Sequence, residues 1–82
     1  MPKSNLTPEQ CRAARGLLDW SQQQLAEASK LHRKTVAAFE RAAPAIEERT
    51  IDDLRAALEK GGVVFIPENG DGPGVRLRKP RR

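Results

Sequence analysis

The sequence is poor in the residues that carry redox, metal and covalent chemistry. Its one cysteine, Cys11, excludes an intramolecular disulfide and a cysteine-rich zinc site. Cys11 is read as a small core residue in a reducing cytoplasm. Its one histidine, His32, has no second metal ligand at helical spacing. There is no tyrosine, and the aromatic residues are Trp20, Phe39 and Phe65. These three are read as core, not as a platform for stacking bases. No apolar run approaches the roughly 18 residues of a membrane span, and no charged-then-apolar leader opens the chain. No phosphate loop, metal-ligand cluster or nucleophile–base pair is present, so neither an enzyme nor a cofactor is expected.

What remains is small and basic. Eighty-two residues make one domain. A chain this short buries only about 60% of its unfolded surface, so added stability from a second copy is expected. Net charge is +4, which favours an anionic partner. The charge is uneven. Residues 1–60 hold ten Lys/Arg against nine Asp/Glu, and residues 61–82 hold five against two. Within the first part, Lys30, Arg33, Lys34 and Arg41 face only Glu40.

Residues 1–6 are read as a loose start. Thr7-Pro8-Glu9-Gln10 is a capping box with proline at the first helical position, opening a helix over about 8–18. Asp19-Trp20 breaks it. Ser21-Gln22-Gln23-Gln24 is a second capping box, opening a helix that ends near Ser29. After a tight turn at Lys30-Leu31, a third helix runs from about Arg33 to Arg41, with Val36, Phe39 and Glu40 inward. Residues 42–49 read as a loop. Thr50 is expected to cap a fourth helix with Ile51, Leu54 and Leu58 as its apolar stripe, stopped by Gly61-Gly62. Val63–Ile66 and Val75–Arg78 read as strands of a hairpin across a turn-rich link.

The segment from Trp20 to Arg41, WSQQQLAEASKLHRKTVAAFER, resembles the helix-turn-helix of the phage repressor/Cro-like (XRE) transcriptional regulators. Ser21-Gln22, Leu25-Ala26, Leu31, Arg33, Thr35, Val36, Phe39 and Glu40 carry the likeness, which covers roughly residues 6–60. It implies a mainly α fold, a four- to five-helix repressor-like domain over 7–61; the β-hairpin read over 62–78 and the basic tail over 79–82 follow outside the shared domain. It also implies double-stranded DNA as partner, with the third helix in the major groove. Arg33 and Lys34 are then the first base readers, with His32 and Ala38 beside them. Gln22, Ser21, Thr35, Lys30 and Arg41 are the candidate phosphate contacts. Arg15 and Glu40 occupy the positions of a family ion pair that fixes the third helix on the first. Two departures stand out. The turn holds Lys30 where the family commonly has glycine, so either lysine adopts a left-handed backbone or the turn differs. His32 replaces the usual Ser or Thr cap, so either a DNA phosphate satisfies the amides there or the helix start frays.

For the hairpin, two readings stay open. Val63, Val64, Phe65, Ile66, Val75 and Leu77 form a dimerisation element that suits a palindromic operator, or they form a lid on the fourth helix. Arg76, Arg78, Lys79, Arg81 and Arg82 either add DNA contacts or serve as a solubilising tail. A further alternative is an antitoxin that neutralises a toxin and autoregulates its operon. A partner protein such as a toxin or RNA polymerase is therefore among the expected partners.

Overall fold

The computed structural model describes residues 6–79. The proposed contacts of Arg81 and Arg82 lie outside them. The described chain forms four helices, α1 Pro8–Leu18, α2 Gln22–Ser29, α3 Arg33–Glu40 and α4 Glu48–Lys60, then strands β1 Val63–Ile66 and β2 Gly74–Leu77. It is mainly α.

The first two helices begin and end alike. Thr7 accepts from the Gln10 amide while Gln10 reaches back to Thr7, and Ser21 and Gln24 repeat the arrangement on α2. Both helices then end on a residue other than glycine with a left-handed backbone: Asp19 at φ 58° and Lys30 at φ 61°. The next amide closes each end, Trp20 N–H onto Arg15 O at 2.9 Å and Leu31 N–H onto Ala26 O at 2.9 Å. The turn between α2 and α3 therefore has ordinary helix-stop geometry with lysine in glycine's usual place.

The fourth helix begins earlier than Thr50. Its N-cap is Glu47, which makes no side-chain cap bond, and Thr50 sits inside the first turn. Ile46 and Ile51, the residues before the cap and at the fourth helical position, both pack against the core. These are the positions of a hydrophobic staple, and acidic Glu47 and Glu48 suit the positive end of the helix. Together they replace the missing hydroxyl cap.

One core joins all the elements. Cys11, Ala14, Leu25, Val36, Leu54 and Leu58 are essentially inaccessible, with Phe39, Ala57, Val63 and Phe65 around them. Leu6, expected in a loose start, is buried there too. Trp20, expected in the core, is half-buried at its margin.

The strands pair antiparallel, Val63 opposite Leu77 and Phe65 opposite Val75. Opposed residues share a face. That face lies on α1 and α4, so the hairpin covers the chain's own helices. Val63 and Phe65 are buried in this packing, and Val75 and Leu77 pack against the core. Val64, Ile66 and Arg76 are left on the outer face. Two polar ties hold the hairpin down. Gln10 Nε2 donates to Gly74 O at 3.0 Å, and the Arg55 guanidinium lies 5.1 Å from the centre of the Phe65 ring. Gly62, at φ 116°, supplies the bend from α4 into β1 that an L side chain would strain.

Candidate nucleic-acid interface

The orientation of α3 is set by one buried carboxylate. Val36, Phe39 and Glu40 form the buried side of the helix. Glu40 is only 3% exposed yet carries a charge. Arg15 grips it with two bonds, Nε to Oε2 and Nη2 to Oε1, each 2.7 Å. Gln22 Nε2 donates to Oε1 at 3.0 Å, and Cys11 Sγ donates to Oε2 at 3.1 Å. Arg12 Nη1 donates to the Glu40 main-chain carbonyl at the end of α3. Burial alone would raise the Glu40 pKa, but the bonds from Arg15, Gln22 and Cys11 outweigh it and hold the carboxyl below its ordinary range. Burial, together with the hydrogen bond to Glu40, pushes the Cys11 thiol well above its usual range, so it remains a protonated donor. This is a closed network: among the described residues, no buried side-chain nitrogen or oxygen lacks a partner. It joins α1, α2 and α3 at one point.

With its inner face occupied, α3 turns its N-terminus outward. His32, Arg33 and Lys34 are all exposed, as is Arg41 at the C-terminal cap. Helical spacing places Lys34, Ala38 and Arg41 along one side, with Ala38 half-buried, and sets Arg33 in the first turn, exposed beside the edge of the buried face. Thr35 is half-buried between that side and the core, and its amide closes on His32 O at 2.9 Å. His32 caps better than expected: its Nδ1 accepts the Lys34 amide at 3.1 Å. An imidazole nitrogen lacking its proton is an acceptor placed much like the oxygen of a capping side chain. The start of α3 is therefore capped without help from a phosphate.

The expected phosphate contacts surround this helix. Lys30 is exposed at the left-handed turn, and Ser21 is exposed at the start of α2 with its hydroxyl accepting the Gln24 amide at 3.0 Å. Gln22 is half-buried and tied to Glu40, a link that spacing could not suggest because its partner lies 18 residues on. Sequence reasoning also missed the bonds of Cys11 and Arg12 to Glu40. A thiol at an apolar helix position looks like any small core residue.

Residues 12–63 match the model of a helix-turn-helix family. The chain belongs to that family, in the Cro/CI-like XRE branch, and is a DNA-binding helix-turn-helix regulator. No curated protein matches it. The family match ends at Val63, so nearly all of the hairpin lies beyond it. No described helix is long and apolar enough to cross a membrane, and no group of described residues could hold a metal ion.

Proposed function

We propose that the protein is a sequence-specific transcriptional regulator that lays α3 in the major groove, acting by occupancy in the cytoplasm. The carrying observation is the exposed, capped His32-Arg33-Lys34 segment at the start of a helix whose other end is locked by Glu40. Arg33 and Lys34 reach base edges, with His32 and Ala38 alongside. An arginine that bonds guanine at O6 and N7 contributes about 1–3 kcal/mol of discrimination. Ser21, Gln22, Lys30, Thr35 and Arg41 hold backbone phosphates on either side, which sets register without reading sequence. Arg33→Ala should weaken binding to a duplex selected by the protein far more than binding to unrelated duplex at the same salt. Equal losses on both would remove Arg33 from base reading. Gln22→Ala should lower both together.

The regulator works as a homodimer on an inverted repeat. Val63, Phe65, Val75 and Leu77 face their own chain, so the dimer contact falls to the outer Val64 and Ile66 and to the strand edges. Among the described residues the two four-residue strands pair only with each other, which leaves edges that a second copy can extend. Val64→Lys should shift sedimentation toward the monomer while the helical circular dichroism persists. A wild-type chain that sediments as a monomer on and off DNA would end this reading.

A further inference from the structure

An open groove of about 530 Å³ lies where the end of the hairpin meets the corner between α1 and α2. Leu18, Trp20 and Leu77 give it an apolar lining, Gly61 and Gly62 line it as well, and Arg78 and Lys79 supply charge. We propose that this groove seats DNA backbone flanking the segment read by α3, extending the footprint of one subunit beyond its helix-turn-helix. The proposal rests on the DNA-reading role of α3 given above.

Position is the first argument. Trp20 immediately precedes Ser21 and Gln22, so the groove wall adjoins the start of α2. Arg15 Nη1 also donates to Trp20 O at 3.0 Å, and the same Arg15 holds Glu40, which holds Gln22. Groove and phosphate-facing residues are thus fixed in one frame. Chemistry is the second. Arg78 is anchored rather than trailing: its amide donates to Gly62 O at 2.7 Å and its Nη2 to Glu59 O at 2.9 Å. A guanidinium carries five N–H donors, so most of its capacity stays available to phosphate oxygens. Exposed Lys79 follows directly. The Glu59 carboxylate is paired with Arg55 at 3.0 Å, which leaves Asp19 as the exposed acid nearest in sequence to the wall. The third argument is economy of ordering. A cation already held in place gives up little freedom on binding.

Trp20 is the sole tryptophan and there is no tyrosine, so its emission reports on this groove directly. The full chain would be titrated with the best duplex it selects from a random pool, and with that duplex trimmed at its outer ends. The flanked duplex should change Trp20 emission and bind more tightly than the trimmed one. Lys79→Gln and Arg78→Gln should each weaken binding to the flanked duplex only. Each should also flatten its plot of log affinity against log salt by about 0.9 for every phosphate that is no longer neutralised. Because Arg78 also caps α4, Lys79→Gln is the decisive variant, with circular dichroism as the check on folding. Equal weakening on both duplexes, or an unchanged salt slope, would overturn the proposal. A wild-type chain that enriches no duplex from the random pool would overturn the reading of α3 and this groove with it, whereas binding of both duplexes with equal affinity and silent Trp20 would overturn the groove alone.

Discussion

Removing either partner of the Arg15–Glu40 pair should destabilise the protein strongly, and the two losses should depend on pH differently. Glu40 is 3% exposed and the Arg15 side chain 19%. An exposed pair contributes about 0–1 kcal/mol. Breaking a buried pair costs about 3–5 kcal/mol because the remaining charge is stranded. Arg15→Met strands the better-buried charge, leaving the carboxylate with only Gln22 and Cys11, and so falls at the upper end. Glu40→Leu leaves Arg15 partly able to reach water and falls near 3 kcal/mol, which for a domain of this size lowers the melting temperature by about 12–24 °C. Without Arg15, burial raises the Glu40 pKa, and protonation cures the stranded charge. The deficit of Arg15→Met relative to wild type should therefore be largest above the carboxylate range and shrink as pH falls through it. The double variant Arg15→Met/Glu40→Leu should recover much of either loss, since an apolar pair leaves no charge behind. Urea unfolding of the four proteins at several pH values closes the double-mutant cycle. Single losses under about 1 kcal/mol with no coupling would place the pair among ordinary surface ion pairs and refute the reasoning.

Three further outcomes follow from the same geometry. Acid should unfold the wild type through Glu40: its folded pKa lies below the unfolded one, so its contribution is present above the carboxylate range and lost as pH falls through it, and Glu40→Gln should flatten that limb of the stability curve. Lys30→Gly should raise stability by about 1 kcal/mol, because glycine takes the left-handed turn without the steric cost that lysine bears, yet weaken DNA binding by removing a positive charge; no gain in thermal melting would contradict the turn geometry. Gly61→Ala should cost about 1–3 kcal/mol by overpacking, since the added carbon would lie 2.9 Å from Leu18 Cδ1 and 3.0 Å from the Trp20 ring. A melt as high as wild type with unchanged Trp20 emission would argue against that contact.

The helices are legible because their ends are written locally. Thr7 with Gln10 and Ser21 with Gln24 are three-residue signals, and α1 and α2 begin where those signals stand. The start of α4 departs from its local signal for the complementary reason. Thr50 is the better capping residue, but with Glu47 as the cap Ile46 and Ile51 stand at the staple positions, and both pack against the core. That preference comes from the core, which lies outside any local window. The hairpin is legible as strands and turn, while its placement is not: the alternation of Val75, Arg76, Leu77 and Arg78 says that one face is covered without saying by what. The tie from Gln10 to Gly74 spans 64 residues.

The candidate interface divides along the same line. The exposed cations of α3 are only partly legible from spacing: a helix that buries Val36, Phe39 and Glu40 must turn Lys34 the other way, whereas Arg33 shares their side and is exposed because it stands in the first turn. What aims that helix cannot be read so fully. Family likeness supplies Arg15 and Glu40, but the carboxylate also takes Gln22 and Cys11, and their side chains give no sign of it in the sequence. A carboxylate can only accept, so Glu40 must draw the N–H end of the Gln22 amide inward and thereby fixes which way that side chain is turned at the start of α2. The residue proposed to grip phosphate and the residue that locks the reading helix are thus coupled through one oxygen. Gln22→Glu, nearly isosteric, would set two carboxylates against each other and should cost more stability than Gln22→Ala, which only removes one donor from Glu40, while both lower DNA affinity. Equal stability of the two variants would show that Glu40 does not orient Gln22.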